Sequence, residues 1–376
     1  MKNRIFVIDG SSYLYRAFHA MPPLTTSSGI PTGAVKGVTN MLLNLKKDSE
    51  GSPIIVVFDA KGKNFRNEIY ADYKANRPPM PTELIDQLKP VKEICKAIGF
   101  PLIEINGVEA DDVIATISKV AKNNGYKTVI SSLDKDLMQL VSDPDVKMMN
   151  TMTHQIFDEQ KVEEKFGVKP DQIRDLLALV GDSSDNIPGI PKVGQKTAAK
   201  WLIKYGSIKK IIENQNEITG VVGENLRNFS TNLQRNIELV SLKQDVNIGI
   251  DFEDLLRLNP DEDRLNALFN ELEFKAMLTK QNPKKEKVTE KKYDLVLSEK
   301  DLQKWIKKIK KANVFAIDTE TSSLDILSSE LIGISLSISE GEACYIPIGH
   351  VYEDCPKQLS LEYIKQHLRP CLEENQ

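Results

Sequence analysis

The amino-acid sequence predicts an α/β fold whose central sheet is doubly wound and mostly parallel. Three short apolar runs carry this prediction: Arg4–Ile8, Pro53–Phe58 and Lys127–Ser131. Such runs are typical of strands that are buried on both faces of a sheet. Segments with helical periodicity separate the runs, and strands that alternate with helices in this way indicate parallel pairing.

The composition describes an ordinary globular protein. The 376 residues suffice for two or three domains, and 40% of them are hydrophobic and 28% charged. The formal net charge is −4, so any basic surface must be local. The cysteines form no Cys-x-x-Cys pair and the four histidines have no metal-binding spacing, which argues against a disulfide framework or a zinc site. The first apolar run, Ile5–Ile8, is far too short for a signal peptide, and no apolar run reaches about 18 residues, so we expect a cytoplasmic protein without a membrane partner.

An acidic cluster lies where an apolar run meets a helix. Glu109, Asp111 and Asp112 place three carboxylates within four residues. The helix dipole would stabilise such charges by at most about 1 kcal/mol. At about 5 Å and an effective dielectric near 20, each pair repels by roughly 3 kcal/mol. A cation is therefore implied, and Mg²⁺ or Mn²⁺ suits oxygen ligands. The alternative is an acidic N-cap on a surface helix.

Other carboxylates follow predicted strands or turns. The first two strands end at Asp9 and Asp59, and the third leads into Asp134 and Asp136, which an extended backbone would point the same way. Asp182 and Asp185 would share a face of a helical turn. A parallel sheet would gather all nine at one rim, where two divalent ions about 4 Å apart could activate a water for phosphodiester hydrolysis. The predicted ligands are Asp9, Asp59, Glu109, Asp111, Asp112, Asp134, Asp136, Asp182 and Asp185.

Two further segments are suited to nucleic acid. Residues 61–81 interleave lysines and arginines with Phe65, Tyr70 and Tyr73, a pattern that fits phosphate contact and base stacking on a single strand. The turn from Gly189 to Lys196 precedes a helix whose N-terminus could hold a phosphate, and residues 192–210 contain six lysines and no acid. The alternatives are a solvated amphipathic helix for the first segment and an ordinary lysine-rich face for the second.

The sequence changes character near its last quarter. Residues 279–292 contain six lysines and almost nothing apolar, which predicts a solvated linker. Strands and a helix are predicted again from Tyr293 onward. Asp318 and Glu320 lie on one face of an extended segment there.

These residues together resemble a known family. Residues 1 to about 280 resemble the 5′ nuclease domain of bacterial DNA polymerases I, part of the flap-endonuclease family. The motifs are Asp9-Gly10, Phe58-Asp59, Tyr73-Lys74-x-x-Arg77-Pro-Pro, Glu109-Ala-Asp111-Asp112, Asp134-Lys-Asp136, Gly181-Asp182-x-x-Asp185-Asn-x-Pro-Gly and Gly194-x-Lys196-Thr-Ala. The resemblance implies a PIN-like 5′ nuclease domain at 1–170 with a helical arch at 61–81, and a helix-two-turn-helix DNA-binding subdomain at 171–278.

The resemblance also implies roles for individual residues. Asp9, Asp59, Glu109, Asp111 and Asp112 would serve a first metal site, and the other four carboxylates a second. Lys74 and Arg77 would clamp the scissile phosphate as catalytic residues, and Tyr73 would stack on a base of the threaded strand. The remaining implied DNA contacts are Arg66, Lys192, Gly194, Lys196 and Thr197. The helix-two-turn-helix would hold a monovalent cation, K⁺.

The segment 293–376 resembles the beginning of the 3′-to-5′ proofreading domain of the same polymerases. This implies a partial ribonuclease H-like α/β domain, with Asp318 and Glu320 matching its first acidic motif. Further acidic motifs of that domain do not follow Glu320. We therefore expect neither proofreading nor DNA synthesis from this chain.

The resulting hypothesis is a structure-specific 5′-to-3′ exonuclease or flap endonuclease that acts in DNA replication and repair. Its expected cofactors are two or more Mg²⁺ or Mn²⁺ ions, its substrates branched or flapped DNA and RNA–DNA primer junctions, and its state a monomer. One alternative is a DNA-structure-binding module that has lost catalysis. Another is a ribonuclease with a related α/β fold, against which the Gly194-x-Lys196-Thr turn and the long helical C-terminal half argue.

Overall fold

The structure is a computed structural model that describes residues 3–281, 292–323 and 328–373. The chain divides into two units, Met1–Leu278 and Thr279–Gln376. Among the described residues, no helix has both the length and the apolar character needed to cross a membrane.

The first unit is built on a six-stranded sheet. Its strands are β1 (Arg4–Asp9), β2 (Ile54–Val57), β3 (Leu102–Ile103), β4 (Lys127–Ser131), β5 (Val146–Met149) and β6 (Ile156–Phe157). Their order is β3-β2-β1-β4-β5-β6, and only the β5–β6 pair is antiparallel. The predicted doubly wound, mostly parallel sheet is therefore confirmed. The strands β2 and β3 lie on one side of β1, and β4 to β6 lie on the other. The boundary between β1 and β4 is the switch point of the strand order, where ligand sites of such folds lie.

Thirteen α-helices are described in the first unit. They are α1 (Gly10–Ala20), α2 (Gly33–Asp48), α3 (Phe65–Ile69), α4 (Thr82–Ile98), α5 (Ala110–Asn123), α6 (Glu159–Phe166), α7 (Ile173–Val180), α8 (Gln195–Tyr205), α9 (Ile208–Glu213), α10 (Gly220–Val240), α11 (Phe252–Leu255), α12 (Glu262–Glu271) and α13 (Lys275–Gln281). Short 3₁₀ turns span Asp136–Leu140, Pro170–Gln172 and Gln215–Glu217.

Both faces of the sheet are covered. Along β1, Ile5 and Val7 belong to one buried apolar cluster, together with residues of α5, α7, α8 and α10. Phe6 and Ile8 point into a second cluster with α1, α2, α4 and α12. This alternation explains why the strands appear as unbroken apolar runs in the sequence.

Three local details of the sheet bear on the rim, and the last of them corrects a prediction. Helix α1 begins at Gly10 and is capped by Asp9, whose Oδ1 accepts from the Ser12 N–H at 2.9 Å. β5 lies inside the sheet, because β6 pairs beyond it. The backbone from Asp136 turns into a 3₁₀ helix instead of staying extended.

The predicted helical arch over 61–81 is wrong in its helicity. Only α3 is helical there, and residues 71–77 form turns. Lys74 has φ +57°, in the left-handed region, and its N–H donates to the Asp185 carbonyl at 3.0 Å. A backbone in this conformation cannot continue an α-helix.

The second unit is a smaller α/β unit. Its elements are β7 (Lys292–Leu295), α14 (Glu299–Ile309), β8 (Ala316–Thr321), β9 (Leu331–Ser339), β10 (Glu342–Pro347) and α15 (Leu361–Glu373), with the strand order β7-β10-β9-β8. Trp305 and Ile346 are buried in its core. Residues 282–291 of the predicted linker lie outside the described residues, and Thr279–Gln281 end α13 rather than begin the linker.

The loop from Gly181 to Gly194 joins α7 to α8 and contains two differently constrained glycines. A Cβ on Gly189 would lie 1.8 Å from the Val180 carbonyl oxygen. Gly194 has φ −97°, and a Cβ there would meet no atom within 4 Å. The first glycine is therefore required by packing, whereas the second is not.

We expect Gly189→Ala to lower the free energy of unfolding by about 1–3 kcal/mol, because the added methyl group forces the backbone of the loop to move. Gly194→Ala is the matched control and should lower that energy by less than about 1 kcal/mol, since Gly194 is the N-cap of α8 and its Cβ position is open. Urea denaturation followed by circular dichroism measures both. Equal losses in the two variants would contradict the packing argument.

Candidate active site

The carboxyl ends of the parallel strands bring the predicted acidic residues to one rim. Asp9 ends β1, and Asp59 follows β2 by two residues. Glu109 caps α5, whose first turn carries Asp111. Asp134 and Asp136 follow β4, and Asp182 and Asp185 follow α7. Asp182 and Asp185 lie in a turn closed by the main-chain pairing of Asp182 with Ile187, not on the helical turn that we predicted.

Hydrogen bonds hold these carboxylates in place. Asp9 Oδ2 accepts from the Ser132 hydroxyl at 2.7 Å. Asp59 Oδ1 accepts from the Ala110 N–H at 2.9 Å, which ties the end of β2 to the N-terminus of α5. Asp182 Oδ1 accepts from the N–H and the hydroxyl of Ser184. The side chains are thus oriented by local backbone and hydroxyl groups.

Burial and the charges of neighbouring carboxylates both disfavour the ionised forms of several rim residues. Burial raises the pKa of Asp9 to about 7, and the charges of Asp59 and Asp134 act in the same direction. Burial and then Asp134 raise the pKa of Asp136 to about 8. The pKa of Asp111 is also held well above its ordinary value by burial and by four neighbouring carboxylates. The repulsion that the sequence suggested is therefore a property of the folded site.

Cationic side chains lie among these acids. Lys74 Nζ is 2.5 Å from Glu109 Oε1 and 3.6 Å from Asp185 Oδ2. Arg77 Nη2 contacts Asp185 Oδ1 at 2.5 Å. The predicted phosphate clamp is therefore located directly at the acidic rim.

A third cation, Lys135, was not predicted. Its Nζ lies 2.8 Å from Asp182 Oδ2, and despite the opposing effect of burial this contact lowers the pKa of Asp182. The signal in the sequence was its position between Asp134 and Asp136.

Tyr73 does not form the open stacking platform that we predicted. Its ring is only 4% exposed, and its hydroxyl lies 3.0 Å from Glu109 Oε2 and 2.9 Å from Asp185 Oδ2. Tyr73 precedes the left-handed Lys74 and points inward, while the lysine amino group also reaches Glu109. In this conformation Tyr73 bridges two carboxylates.

Arg66 and Asp112 also differ from prediction. Arg66 is 1% exposed, so the prediction that it contacts DNA is wrong in this structure. Asp112 is fully buried, and both of its carboxylate oxygens accept from the Arg66 guanidinium, at 2.7 and 2.8 Å. Asp112 therefore lies behind the rim and is not placed as a metal ligand.

The eight remaining carboxylates fit a hard divalent cation by their chemistry. All offer oxygen atoms, and Asp136 Oδ1 is buried without a hydrogen-bond partner. Within the described ranges, no three acidic, histidine or cysteine side chains converge on one point as a preformed cage. The hydroxyl of Tyr73 and the amino group of Lys74 separate Glu109 from Asp185, which accounts for part of this spacing.

A cavity of about 590 Å³ opens beside the rim. Asp59, Glu109, Lys74 and Arg77 contribute to its wall, and both polar side chains and apolar ones such as Leu88 line the rest. The mixture of charged and apolar lining suits a ligand that carries both phosphate and a flat apolar surface.

The predicted duplex contacts lie on the α7–α8 loop and the start of α8. Lys192, Gly194 and Lys196 are exposed, and Thr197 is partly buried. Lys192 has φ +63°, and the buried Val193 anchors the turn. In the second unit, Asp318 and Glu320 lie two residues apart on the exposed strand β8 and are themselves exposed.

Comparison with known proteins identifies the two units. Residues 4–167 match the family model "5′-3′ exonuclease, N-terminal resolvase-like domain", and residues 168–263 match "5′-3′ exonuclease, C-terminal SAM fold". Residues 293–376 match "3′-5′ exonuclease".

Two relatives illustrate the extent of the similarity. The chain is 44% identical to a 5′-3′ exonuclease of Aquifex aeolicus over 73% of this chain and 93% of that protein. It is 42% identical to DNA polymerase I of Pseudomonas aeruginosa over 98% of this chain, but spans only 42% of the length of that polymerase.

Solved structures of bacteriophage T5 proteins are similar to the first unit. A T5 flap endonuclease in complex with DNA and metal ions gives a TM-score of 0.56 at 25% identity, covering 72% of this chain and 99% of that one. A T5 5′-exonuclease with bound divalent zinc gives the same TM-score and identity, covering 72% and 98%. These similarities confirm the predicted 5′ nuclease fold.

We expect Asp111→Asn to raise the thermal unfolding midpoint in EDTA, by about 2–4 °C for each kcal/mol of repulsion removed. The folded pKa of Asp111 lies above the ordinary value of 3.8, so its ionised form destabilises the fold as the pH rises past that value, and the cost is present at pH 7. Differential scanning calorimetry measures the midpoint.

Asp86→Asn, at an exposed position, is the control and should leave the unfolding midpoint unchanged. Addition of Mg²⁺ should raise the midpoint of the unmodified protein more than that of Asp111→Asn. A lower midpoint for Asp111→Asn in EDTA would contradict the claim that the charge of Asp111 destabilises the fold.

Proposed function

The chain belongs to the 5′-3′ exonuclease family, and from this premise we propose that it hydrolyses phosphodiester bonds of branched or flapped DNA at the acidic rim. The observation that carries the proposal is the juxtaposition of a crowded carboxylate rim with Lys74 and Arg77. Carboxylates alone would repel a polyanion, whereas carboxylates that hold cations beside two basic side chains can bind and cleave one.

Two or more Mg²⁺ or Mn²⁺ ions are the proposed cofactors. Bound ions would supply a nucleophilic water at neutral pH and stabilise the leaving oxygen. Asp9, Asp59, Glu109 and Asp111 would hold one ion, and Asp134, Asp136, Asp182 and Asp185 another. The raised pKa of Asp9 supports this assignment, because a nearby cation favours the ionised form that burial disfavours.

Lys74 and Arg77 are the proposed phosphate clamp. Both side chains make short ion pairs with Glu109 or Asp185, so they already lie where a scissile phosphate would approach those carboxylates. A phosphate oxygen would compete for the same amino and guanidinium hydrogens. Their catalytic contribution would be to stabilise the charge that develops on the phosphate in the transition state.

The exposed residues at the start of α8 are the proposed duplex contacts. Lys192, Lys196 and Thr197 would bind backbone phosphates beside the N-terminus of α8, and Gly194 would let the backbone approach closely because its Cβ position is open. We also propose a K⁺ ion at this turn.

The wider biological role is a further part of the proposal. We propose that the substrates include RNA–DNA primer junctions, and that the protein acts as a cytoplasmic monomer in replication and repair. The carboxylates Asp318 and Glu320 remain a proposed partial second exonuclease site.

With Mg²⁺ the protein should cut a DNA carrying a labelled 5′ flap close to the junction, and EDTA should abolish the cut. A blunt duplex of the same sequence is the control substrate, and an RNA flap tests primer removal. Denaturing gel electrophoresis reports the products. Salt-dependent flap binding without cleavage under any divalent ion would contradict the proposal and favour a binding module.

Removal of the clamp lysine should slow the chemical step. Lys74→Met should lower kcat by about 10²–10³-fold, the range found when one transition-state donor is removed. The Kd for a flap, measured in Ca²⁺ by fluorescence anisotropy, should change less than about threefold.

Lys92→Met is the matched control, since Lys92 Nζ also pairs with a carboxylate, Glu104, at 2.5 Å. That variant should retain full activity. Equal losses in kcat and affinity for Lys74→Met would argue against a role in the transition state.

A further inference from the structure

The buried ion pair between Arg66 and Asp112 connects three parts of the first unit. The guanidinium also donates to two backbone carbonyl oxygens. That of Leu239, in the last turn of α10, lies at 2.7 Å, and that of Ser241, just beyond α10, lies at 2.9 Å. Asp112 Oδ1 accepts in addition from the Lys243 N–H at 2.9 Å. The pair therefore joins α3 and α5 to the segment that follows α10.

The same pair contacts Glu109, a proposed metal ligand. Asp112 Oδ2 accepts from the Glu109 N–H at 3.1 Å, and Arg66 Nη1 lies 3.4 Å from Glu109 Oε2. On their other side, the Glu109 oxygens face Tyr73, Lys74 and the side-chain amide of Asn64. Both the backbone and the carboxylate of Glu109 are thus fixed from behind by this ion pair.

Burial limits what the pair can do directly. Arg66 is 1% exposed and Asp112 is not exposed, so neither side chain can reach a nucleic acid without a rearrangement of the fold. Each Asp112 oxygen already accepts two hydrogen bonds. A buried ion pair is weak evidence for stability, but its fixed bidentate geometry is well suited to orienting a neighbour.

We propose that Arg66 and Asp112 are positioning residues that orient Glu109 and dock the segment after α10 against α5, without touching substrate or metal. This inference rests on the proposed nuclease function, because it assigns Glu109 to a metal ion. It replaces the separate roles of DNA contact and metal ligand that the sequence suggested for the two residues.

The test is a double-mutant cycle of Arg66→Lys, Asp112→Asn and the double variant, assayed on the 5′-flap DNA in Mg²⁺. Arg66→Lys keeps the buried charge but loses the bidentate geometry, and serves as the mild variant should Asp112→Asn fail to fold. We expect each single change to lower kcat at least about tenfold, with KM changed less than about threefold. The double variant should be no worse than the poorer single one, because both changes remove one function.

Two further measurements separate positioning from direct contact. The dependence of log Kd on log salt, in Ca²⁺, should be the same for Arg66→Lys and the unmodified protein, whereas loss of one phosphate contact would reduce its slope by about 0.9. Mn²⁺ binding without DNA, followed by electron paramagnetic resonance, should weaken to a similar extent in Arg66→Lys and Asp112→Asn.

Asp175→Asn is the control for a buried aspartate, since Asp175 is 5% exposed and its Oδ2 accepts from the Ile208 N–H at the start of α9. It should lower the unfolding midpoint but leave kcat unchanged. A reduced salt slope for Arg66→Lys would show a DNA contact and overturn the proposal. Three other results would also overturn the proposal. They are a loss of Mn²⁺ binding confined to Asp112→Asn, additive losses of kcat in the double-mutant cycle, and single variants that are as active as Asp175→Asn. Absence of cleavage by the unmodified protein would instead refute the proposed function.

Discussion

Repulsion among the carboxylates at the carboxyl edge of the sheet is the constraint on which the rest of the site depends. Asp9, Asp111 and Asp136 all have pKa values raised by burial and by neighbouring acids. Such a rim is tolerable only if cations are close. The chain provides Lys74, Arg77 and Lys135 at distances of 2.5–2.8 Å from rim carboxylates. The basic residues that would clamp a phosphate thus have a second, electrostatic reason to be there.

Much of the fold could be predicted because its signals are local. Apolar runs that end in Asp9 or Asp59 identify both the buried strands and the edge where their carboxylates meet, and the structure has that edge. The environment of Arg66 could not be predicted in this way. Its partners include the Leu239 carbonyl, 173 positions along the chain, and no spacing rule connects residues that distant. A basic residue among aromatic residues therefore suggested a DNA contact, whereas in the structure Arg66 forms a buried ion pair.

The prediction for the segment that follows α3 was wrong for a different reason. The family resemblance implied a helical arch over 61–81, but the backbone of Lys74 is left-handed and its N–H donates to the Asp185 carbonyl. A tertiary hydrogen bond and the contacts of Tyr73 with two carboxylates outweigh local helix propensity, which differs by only about 0.7 kcal/mol between ordinary residues. Local conformation here is determined by the acidic rim rather than by the segment itself.

Helix geometry explains why the acidic motif at the start of α5 divides into two roles. Successive residues on an α-helix are rotated by about 100°, so adjacent aspartates cannot both face the same rim. Asp111 experiences the charges of Asp9, Asp59 and Asp134. Asp112 points to Arg66 and accepts a hydrogen bond from the backbone N–H of Glu109. Three acids in four residues therefore need not be three metal ligands, and the helical period alone, applied to the sequence, would have separated Asp111 from Asp112.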